Sequence, residues 1–201
     1  MKKTLLSLLT FLFFILILIF CKIPNSPYIE EPLSEISSEI LSEDSEESTQ
    51  NLNLLKATVL RYVDGDTIWV TVNEEEWKIR LIGTVCEESA SFDSSQNTEG
   101  GELSSSYIKT LISIGDEVYL QQDVSDKDIY NRYLRYVWLD IPEDITAAEE
   151  IESKMLNAII IRDGYGKAAY YKPDVTNYYI FKQLQLEAKD AKRGLWESYW
   201  K

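Results

Sequence analysis

The sequence has no histidine among its 201 residues and only two cysteines. The lack of histidine excludes Ser-His-Asp triads, histidine general bases and most zinc sites. If Cys21, which follows a long apolar segment, carries a lipid, then Cys86 is the only thiol, and we expect no intramolecular disulfide. Any chemistry must therefore use carboxylates, arginine, lysine, tyrosine or a hard metal ion.

Positive charge is also scarce, since 20 lysines and arginines face 34 acids and the formal net charge is −14. Residues 23–50 contain eight acids and no lysine or arginine, and residues 51–201 still carry a net charge of about −9. Such a body does not attract nucleic acid from a distance. A phosphate ligand would have to be held by a few focused cations.

The N-terminus predicts export. Lys2 and Lys3 precede 17 uncharged residues, and Cys21 follows them. This pattern is typical of a signal peptide or a membrane anchor in residues 1–21. Cys21 resembles the lipidated cysteine of a bacterial lipoprotein, although Phe20 stands where a small residue is usual. A lipoprotein, an uncleaved anchor and plain secretion stay open, and in each the body faces the periplasm or the cell exterior.

The next segment, residues 22–50, is acidic and rich in serine. This composition predicts a disordered tether. It serves either as a spacer from the membrane or in regulation. The folded domain is therefore expected in residues 51–201.

Hydrophobic periodicity from Leu54 onward predicts five strands, because β-branched and aromatic residues alternate with polar ones. The predicted strands are residues 54–63, 67–72, 77–85, 117–124 and 133–140. We expect Asp64-Gly65 to join the first two strands as a tight turn and residues 73–76 to join the next two.

Three helices are predicted between and after these strands. The polar residues 92–105 are expected to form a loop, with a short helix after it. Residues 147–164 predict a helix that Gly164 closes, and residues 177–192 predict another that Gly194 stops. This order of elements is typical of the α+β class, as a five-stranded OB-type β-barrel with three helices.

Four segments in this order resemble the staphylococcal nuclease (thermonuclease) family. They are VDGDTIWV (63–70), IRLIGTVCEES (79–89), DIYNRYLRYVWL (128–139) and, within residues 157–197, NAIIIRDGYGKAAYYKPD with LEAKDAKRGLWE. The resemblance spans about residues 55–197. It implies an OB barrel with three helices and a calcium-dependent phosphodiesterase that cuts DNA and RNA.

The resemblance also implies roles for single residues. Asp66 matches a calcium ligand, Arg80 and Arg132 match the arginines that clamp the phosphate, and Glu88 matches the general base. These types suit the chemistry, since carboxylates bind calcium and orient water while arginine donates paired hydrogen bonds to phosphate. The alternatives are turn chemistry for Asp66, rim ion pairs for the arginines and a solvated loop acid for Glu88.

Four further residues match the border of the substrate pocket. Tyr130 and Tyr171 match tyrosines that contact the substrate, and Lys127 and Lys172 are expected to help hold the nucleic acid backbone. A chain with 13 tyrosines also offers many places for a tyrosine in the core. A structural role for these side chains therefore stays open.

One calcium carboxylate of the family is absent. The family pattern Arg-Leu-Ile-Gly-x-Asp-x-Pro-Glu, placed on Arg80, puts the aspartate on Val85 and the proline on Glu87. Valine has no side-chain ligand, so we expect a weakened calcium site. Positions 85 and 87 of an extended segment point to the same side, so Glu87 is a candidate replacement.

Two functions follow from this pattern. The first is an exported endonuclease that hydrolyses DNA or RNA by metal-assisted attack of water on phosphate. The second is a catalytically impaired module of the same fold that binds nucleic acid or a protein partner. Retention of Asp66, Arg80, Glu88 and Arg132 favours the first, while Val85 and the acidic body favour the second. A monomer is expected in either case.

Overall fold

A computed structural model describes residues 52–87 and 98–200 of the chain. The predicted signal or anchor (1–21), with Cys21, and the predicted tether (22–50) lie outside these residues. In the described part no helix has both the length and the apolar character needed to cross a membrane.

The described part contains seven strands and four α-helices. The strands are β1 (Leu55–Asp64), β2 (Thr67–Val72), β3 (Glu75–Leu81), β4 (Thr84–Val85), β5 (Glu117–Gln121), β6 (Tyr133–Trp138) and β7 (Lys167–Ala168). The helices are α1 (Glu99–Leu111), α2 (Ala148–Lys154), α3 (Leu156–Arg162) and α4 (Tyr178–Asp190), and a 3-10 turn (Gly194–Trp196) follows α4.

Five of the strands close a barrel in the order β1-β2-β3-β6-β5. The first three strands are joined by antiparallel hairpins. β6 runs parallel to β3, and β5 pairs antiparallel with both β6 and β1. The predicted α+β class and five-stranded OB-type barrel are therefore confirmed. The short pair of β4 and β7 was not predicted.

Two apolar clusters hold the fold together. The first fills the barrel with alternate residues of the strands, including Ile68, Val70 and Ile79. The second joins the barrel to α3 and α4, and its largest members are Trp138, Tyr136 and Phe181. Burial of each such side chain contributes about 1.5–3 kcal/mol. The barrel and the helices behind it thus form a firm base for the loops at its rim.

The helix predicted over residues 147–164 is two helices, so the described part has four α-helices where three were expected. The break lies at Met155, whose backbone is extended (φ −90°, ψ 117°) and forms an isolated β-bridge with Trp138. Next to it, the buried side chain of Asn157 accepts a hydrogen bond from the backbone N–H of Val137 at 2.9 Å. Pairing with β6 therefore overrides a continuous helical pattern.

Helix α1 begins earlier than predicted, inside the polar segment expected to be a loop. The side chain of Thr98 caps its N-terminus and accepts a hydrogen bond from the backbone N–H of Gly101 at 3.0 Å. Glycine disfavours helix, which makes this start hard to predict. Gly100 has a packing reason, since a Cβ there would lie 2.6 Å from the ring of Tyr199.

The two hairpin turns position the site. Asp64, Gly65 and Asp66 connect β1 to β2 as expected, and the second turn is only Asn73-Glu74, both with positive φ. Gly65 is needed because a Cβ there would lie 2.8 Å from the Cβ of Ser104 in α1. The first turn is therefore clamped against α1.

Candidate active site

Asp66 lies in the β1–β2 turn with its carboxylate buried. The backbone N–H of Cys86 donates to Oδ2 at 2.9 Å, and the hydroxyl of Thr67 donates to Oδ1 at 3.1 Å. Its own backbone N–H donates to Oδ1 of Asp64 at 3.1 Å. These bonds fix the predicted ligand residue in one orientation.

Arg80 reaches the same turn from β3, because its position in the β2–β3 ladder is opposite Thr67. Its Nη1 lies 2.6 Å from Oδ2 of Asp66 and also donates to the carbonyl of Thr84 at 3.0 Å. The side chains of Arg80 and Asp66 are only 16% and 9% exposed. Arg80 therefore neutralises Asp66 directly, in a setting with little solvent screening.

The second carboxylate of the turn, Asp64, has an unusual pKa. Burial, followed by the negative charge of Asp66, raises the pKa of Asp64 to about 6. Two carboxylates so close together disfavour full ionisation of both. At neutral pH the carboxyl of Asp64 is thus ionised, but a modest fall in pH protonates it.

Arg132 lies in the loop between β5 and β6, and Asp128 of the same loop holds it. Its Nε lies 2.7 Å from Oδ2 of Asp128, while the backbone N–H groups of Tyr130 and Arg132 both donate to Oδ1 at 2.9 Å. Burial alone would raise the pKa of Asp128, but these hydrogen bonds and the charge of Arg132 outweigh it and lower that pKa. Asp128 therefore stays ionised and orients the guanidinium.

Two cavities meet at the two arginines. We call the smaller one, of about 280 Å³, the aspartate cavity, and the larger one, of about 480 Å³, the tyrosine cavity. The aspartate cavity is lined among others by Asp64, Asp66, Lys78, Arg80, Val85 and Arg132. The tyrosine cavity is lined among others by Arg80, Tyr130, Arg132, Tyr171, Lys172 and Asp174. The fold thus brings Arg80 and Arg132 together although 52 positions separate them in the sequence.

The predicted substrate-border residues divide into two groups. Tyr130 and Tyr171 line the tyrosine cavity and are 73% and 66% exposed, and Lys172 lines it as well. Lys127 lines neither cavity, and its Nζ lies 4.1 Å from the centre of the Tyr133 ring. The structure therefore brings three of the four to the site.

Val85 is a wall of the aspartate cavity. It lies half-buried in β4, where it pairs with Lys167 of β7. The position at which the family pattern has an aspartate therefore faces the space beside Asp66 and Arg80. An apolar side chain there contributes no ligand.

Glu87, the candidate replacement, is held elsewhere. Its Oε1 accepts a hydrogen bond from Nε1 of Trp200 at 2.8 Å and lies 3.4 Å from Nζ of Lys167. It lines neither of the two cavities. The structure does not bring it to Asp66. Glu88, the predicted general base, lies outside the described residues.

The described residues do not fit the calcium ion that the family resemblance implies. Calcium takes about six to eight oxygen ligands, whereas the carboxylates lining the aspartate cavity are those of Asp64 and Asp66. Asp66 already pairs with Arg80, and Lys78 and Arg132 bring further positive charge to the same cavity. Over residues 52–87 and 98–200, no group of three or more acidic or cysteine side chains is arranged to hold a metal.

The structure gives roles to two basic residues that had no assigned role from the sequence. Arg135 is 5% exposed, and its Nη2 pairs with Asp126 at 2.6 Å, so its role is structural. Lys78 was not predicted, yet it lines the aspartate cavity. The alternation of β3 contained the signal, because Lys78 and Arg80 are two residues apart on one strand.

Comparison with known proteins gives relatives over most of the domain. The family model described as staphylococcal nuclease homologue matches residues 78–198. The chain is 28% identical to a thermonuclease of Staphylococcus hyicus, over 74% of this chain and 79% of the relative. It is 29% identical to a thermonuclease of Staphylococcus intermedius, over 69% and 74% respectively. It is also 30% identical to the SPbeta prophage-derived endonuclease YokF of Bacillus subtilis (strain 168), over 71% of this chain and 44% of that protein.

Proposed function

The chain belongs to the family of staphylococcal nuclease homologues, and from this premise we propose that it is a phosphodiesterase that hydrolyses the backbone of DNA or RNA. The observation that carries the proposal is the convergence of Arg80 and Arg132, from different parts of the sequence, on the line where two cavities meet. Their guanidinium groups are planar donors that match the oxygens of a phosphodiester.

Both arginines have donors left for a substrate. Arg80 uses Nη1 for Asp66 and Thr84, and no described residue accepts from its Nη2 or Nε. Arg132 uses Nε for Asp128, and no described residue accepts from its two Nη atoms. Four such nitrogens can bind the non-bridging oxygens of one phosphate and stabilise the charge that grows on them during attack by water. The carboxylates Asp66 and Asp128 orient the guanidinium groups in advance.

The tyrosine cavity suits the sugar and base next to that phosphate. Tyr130 and Tyr171 expose their rings beside the arginines, and stacking on an aromatic ring tolerates any base. Lys172 adds a positive charge at the same rim. This arrangement favours a single-stranded substrate, whose bases are free to stack, and does not distinguish DNA from RNA.

The remaining step is activation of water. The water oxygen bonds to phosphorus, the bond from phosphorus to the leaving sugar oxygen breaks, and a base takes the proton of the water. The family resemblance implies that Glu88 is the base that takes this proton, and we keep that role for Glu88 as part of the proposal. In the family a calcium ion assists, but the donors of the aspartate cavity do not support a site of usual strength.

A second candidate is a binding module without catalysis. Val85 favours it, because the family's second acid is missing from the wall of the aspartate cavity. In that case the arginines and tyrosines would hold nucleic acid without cutting it.

Cleavage assays separate the two candidates. The purified chain is incubated with single-stranded DNA and with RNA, in EDTA, calcium or manganese. We expect cleavage that is lost in Arg132→Gln and in Glu88→Gln. The matched control is Arg61→Gln, since Arg61 also pairs with a carboxylate, at 3.2 Å from Glu76, but lines neither cavity.

Three outcomes are informative. Cleavage that persists in the control and fails in the two site variants supports the phosphodiesterase. No cleavage in any metal, with oligonucleotide binding that Arg132→Gln abolishes, moves the chain to the binding module. Cleavage unaffected by Arg132→Gln would show a contaminant or another site and would end the proposal.

Export and attachment to a membrane through Cys21 remain proposals, as does a monomeric state. They rest on the N-terminal sequence pattern and on composition. Metabolic labelling with a fatty acid, compared between the natural chain and Cys21→Ser, tests the lipid. Loss of the label in the variant is the expected result.

A further inference from the structure

The aspartate cavity contains a third cation, Lys78, that the proposed function has not used. Lys78 and Arg80 lie two residues apart on β3, and both line this cavity. Alternate residues of a strand face the same side, so the shared position follows from the register of β3. The strand thus places Lys78 and Arg80 on the wall of the cavity that Asp64 and Asp66 also line.

Lys78 has no ion-pair partner within the part of the chain that the structure describes. Another barrel lysine, Lys56, lies 2.7 Å from Glu117, and Arg61 lies 3.2 Å from Glu76. Lys78 shares this lack of an ion pair with other described lysines, such as Lys182, but Lys182 lines neither cavity. A half-buried lysine that faces a cavity without an ion pair is available to an anionic ligand.

The charges around Lys78 define what that ligand is. Arg80 neutralises Asp66 at 2.6 Å, and Val85 adds no charge to the wall. An incoming divalent cation would meet Lys78 and two guanidinium groups, and it would gain few oxygen ligands. A phosphate would instead meet the ammonium of Lys78 and the unused donors of Arg80 and Arg132.

We propose that the ammonium of Lys78 supplies, in the aspartate cavity, the positive charge that a divalent metal ion would otherwise bring, so that the chain binds a nucleic acid phosphate without a metal. Val85 and Lys78 then act in the same direction on the charge of the cavity. Val85 removes the negative charge of the family's acid, and Lys78 adds a positive charge. The inference rests on the proposed function for its ligand, but not on catalysis.

The test is binding in the absence of metal. A fluorescently labelled single-stranded oligothymidylate of ten nucleotides is titrated with the purified chain in EDTA and in calcium. We expect equal affinity in both. Lys78→Met should weaken binding in EDTA by about 10-fold, the loss of one charge-assisted hydrogen bond, and should reduce the dependence of log K on log salt by about 0.7.

Two further variants keep the result interpretable. Lys78→Arg retains the charge and should retain most of the affinity for the oligothymidylate. That result would exclude unfolding as the reason why a substitution at position 78 weakens binding. Lys182→Met is the matched control, since Lys182 is also half-buried, has no ion pair in the described ranges and lines neither cavity. It removes the same charge and should change affinity less than 2-fold.

The reverse experiment adds the missing acid. Val85→Asp gives the aspartate cavity a third carboxylate, and calcium binding is measured by calorimetry. If the ammonium of Lys78 replaces the charge of the metal ion, Val85→Asp/Lys78→Met should bind calcium at least about 10-fold more tightly than Val85→Asp alone. The reason is that the double variant lacks the positive charge of Lys78, which repels the calcium ion. Equal calcium affinity in the two variants would overturn the inference.

Failure of this inference and failure of the proposed function look different. Oligothymidylate binding that needs calcium, or that Lys78→Met and Lys182→Met weaken equally, overturns the inference even if the chain cleaves nucleic acid. EDTA-resistant binding that depends on Lys78 supports it even if no cleavage occurs in any metal. Absence of binding in both EDTA and calcium overturns the inference and removes the binding step of the proposed function as well.

Discussion

The two cavities of the site are built in opposite ways. The aspartate cavity is lined mainly by residues of the barrel strands and of the β1–β2 turn, and its key pair, Asp66 and Arg80, joins a turn to a strand with little exposure. The tyrosine cavity is bounded by loops, and its key pair, Asp128 and Arg132, lies within one loop four residues apart. One cavity is a fixed array of charges and the other is a rim of exposed rings.

This difference separates two tasks. A fixed and partly buried charge array is suited to phosphate, because its donors need no reorganisation when charge develops. Exposed rings are suited to bases, because stacking needs area and tolerates variation. The comparison predicts that changes in the aspartate cavity act on stability and on phosphate binding together, whereas changes to the exposed tyrosines of the tyrosine cavity act on binding alone.

The largest expected effect is in the aspartate cavity. Arg80→Ala leaves Asp66 buried without its partner, and we expect the free energy of unfolding to fall by about 3–5 kcal/mol. The matched change in the other pair, Arg132→Ala, exposes a carboxylate that solvent reaches more easily and should cost about 1 kcal/mol. Urea unfolding of both variants measures the difference. Equal losses would contradict the contrast between the two cavities.

In the tyrosine cavity the expected effect is on affinity alone. Tyr171→Ala and Tyr130→Ala should each weaken oligothymidylate binding by about 1–3 kcal/mol, the value of stacking one base. Both rings are more than half exposed, so the free energy of unfolding should stay within about 0.5 kcal/mol of the natural chain. Tyr179→Ala is the control, because Tyr179 is 80% exposed and lines neither cavity. A loss of affinity as large in this control would show that tyrosines bind without regard to position.

A smaller effect concerns the pH dependence of stability. The pKa of Asp64 is about 6 in the folded chain, above its ordinary value of 3.8. A carboxyl whose pKa is raised on folding favours the folded state at low pH, and this contribution is lost as the pH rises from about 4 through 6. Asp64→Asn keeps a side-chain oxygen for the backbone N–H of Asp66 and removes the charge.

At pH 7.5 we therefore expect Asp64→Asn to be more stable than the natural chain by about 1–2 kcal/mol, which allows for the partial exposure of the group. The advantage should vanish near pH 4. Thermal or urea unfolding over pH 4–8 measures it. A difference that is constant with pH would mean that the pKa of Asp64 is not raised.

Much of this contrast between the two cavities could be predicted from the sequence. Alternating strands predicted the barrel, and the resemblance to the staphylococcal nuclease family implied Asp66 and Arg80 as one half of the site. Lys78 could have been found by the same alternation, because it stands two residues before Arg80. The division of Lys127 and Lys172 between the outside and the inside of the site depends on loop geometry, which periodicity does not encode.

Other features depend on contacts between distant residues. Glu87 was considered for the metal site, but its hydrogen bond with Trp200 joins positions that are 113 residues apart. The break at Met155 follows from pairing with Trp138, while the local pattern is helical throughout. In both places a tertiary contact decides between locally acceptable structures, and a single sequence does not reveal that contact.

The smallest expected effect compares the two lysines that were predicted to hold the backbone. Lys172 lines the tyrosine cavity, so Lys172→Met should reduce the slope of log K against log salt by about 0.7, as expected for one phosphate contact on a single strand. Lys127 lies against the ring of Tyr133, with Nζ 4.1 Å from its centre, and Lys127→Met should leave the slope unchanged. Both variants remove one positive charge, so a uniform electrostatic attraction would lower the two slopes equally. Unequal slopes, with the loss confined to Lys172→Met, would show that nucleic acid follows the tyrosine cavity rather than the general field of the protein. A chain with net charge −14 does not attract nucleic acid through its general field, so its binding has to depend on such local contacts.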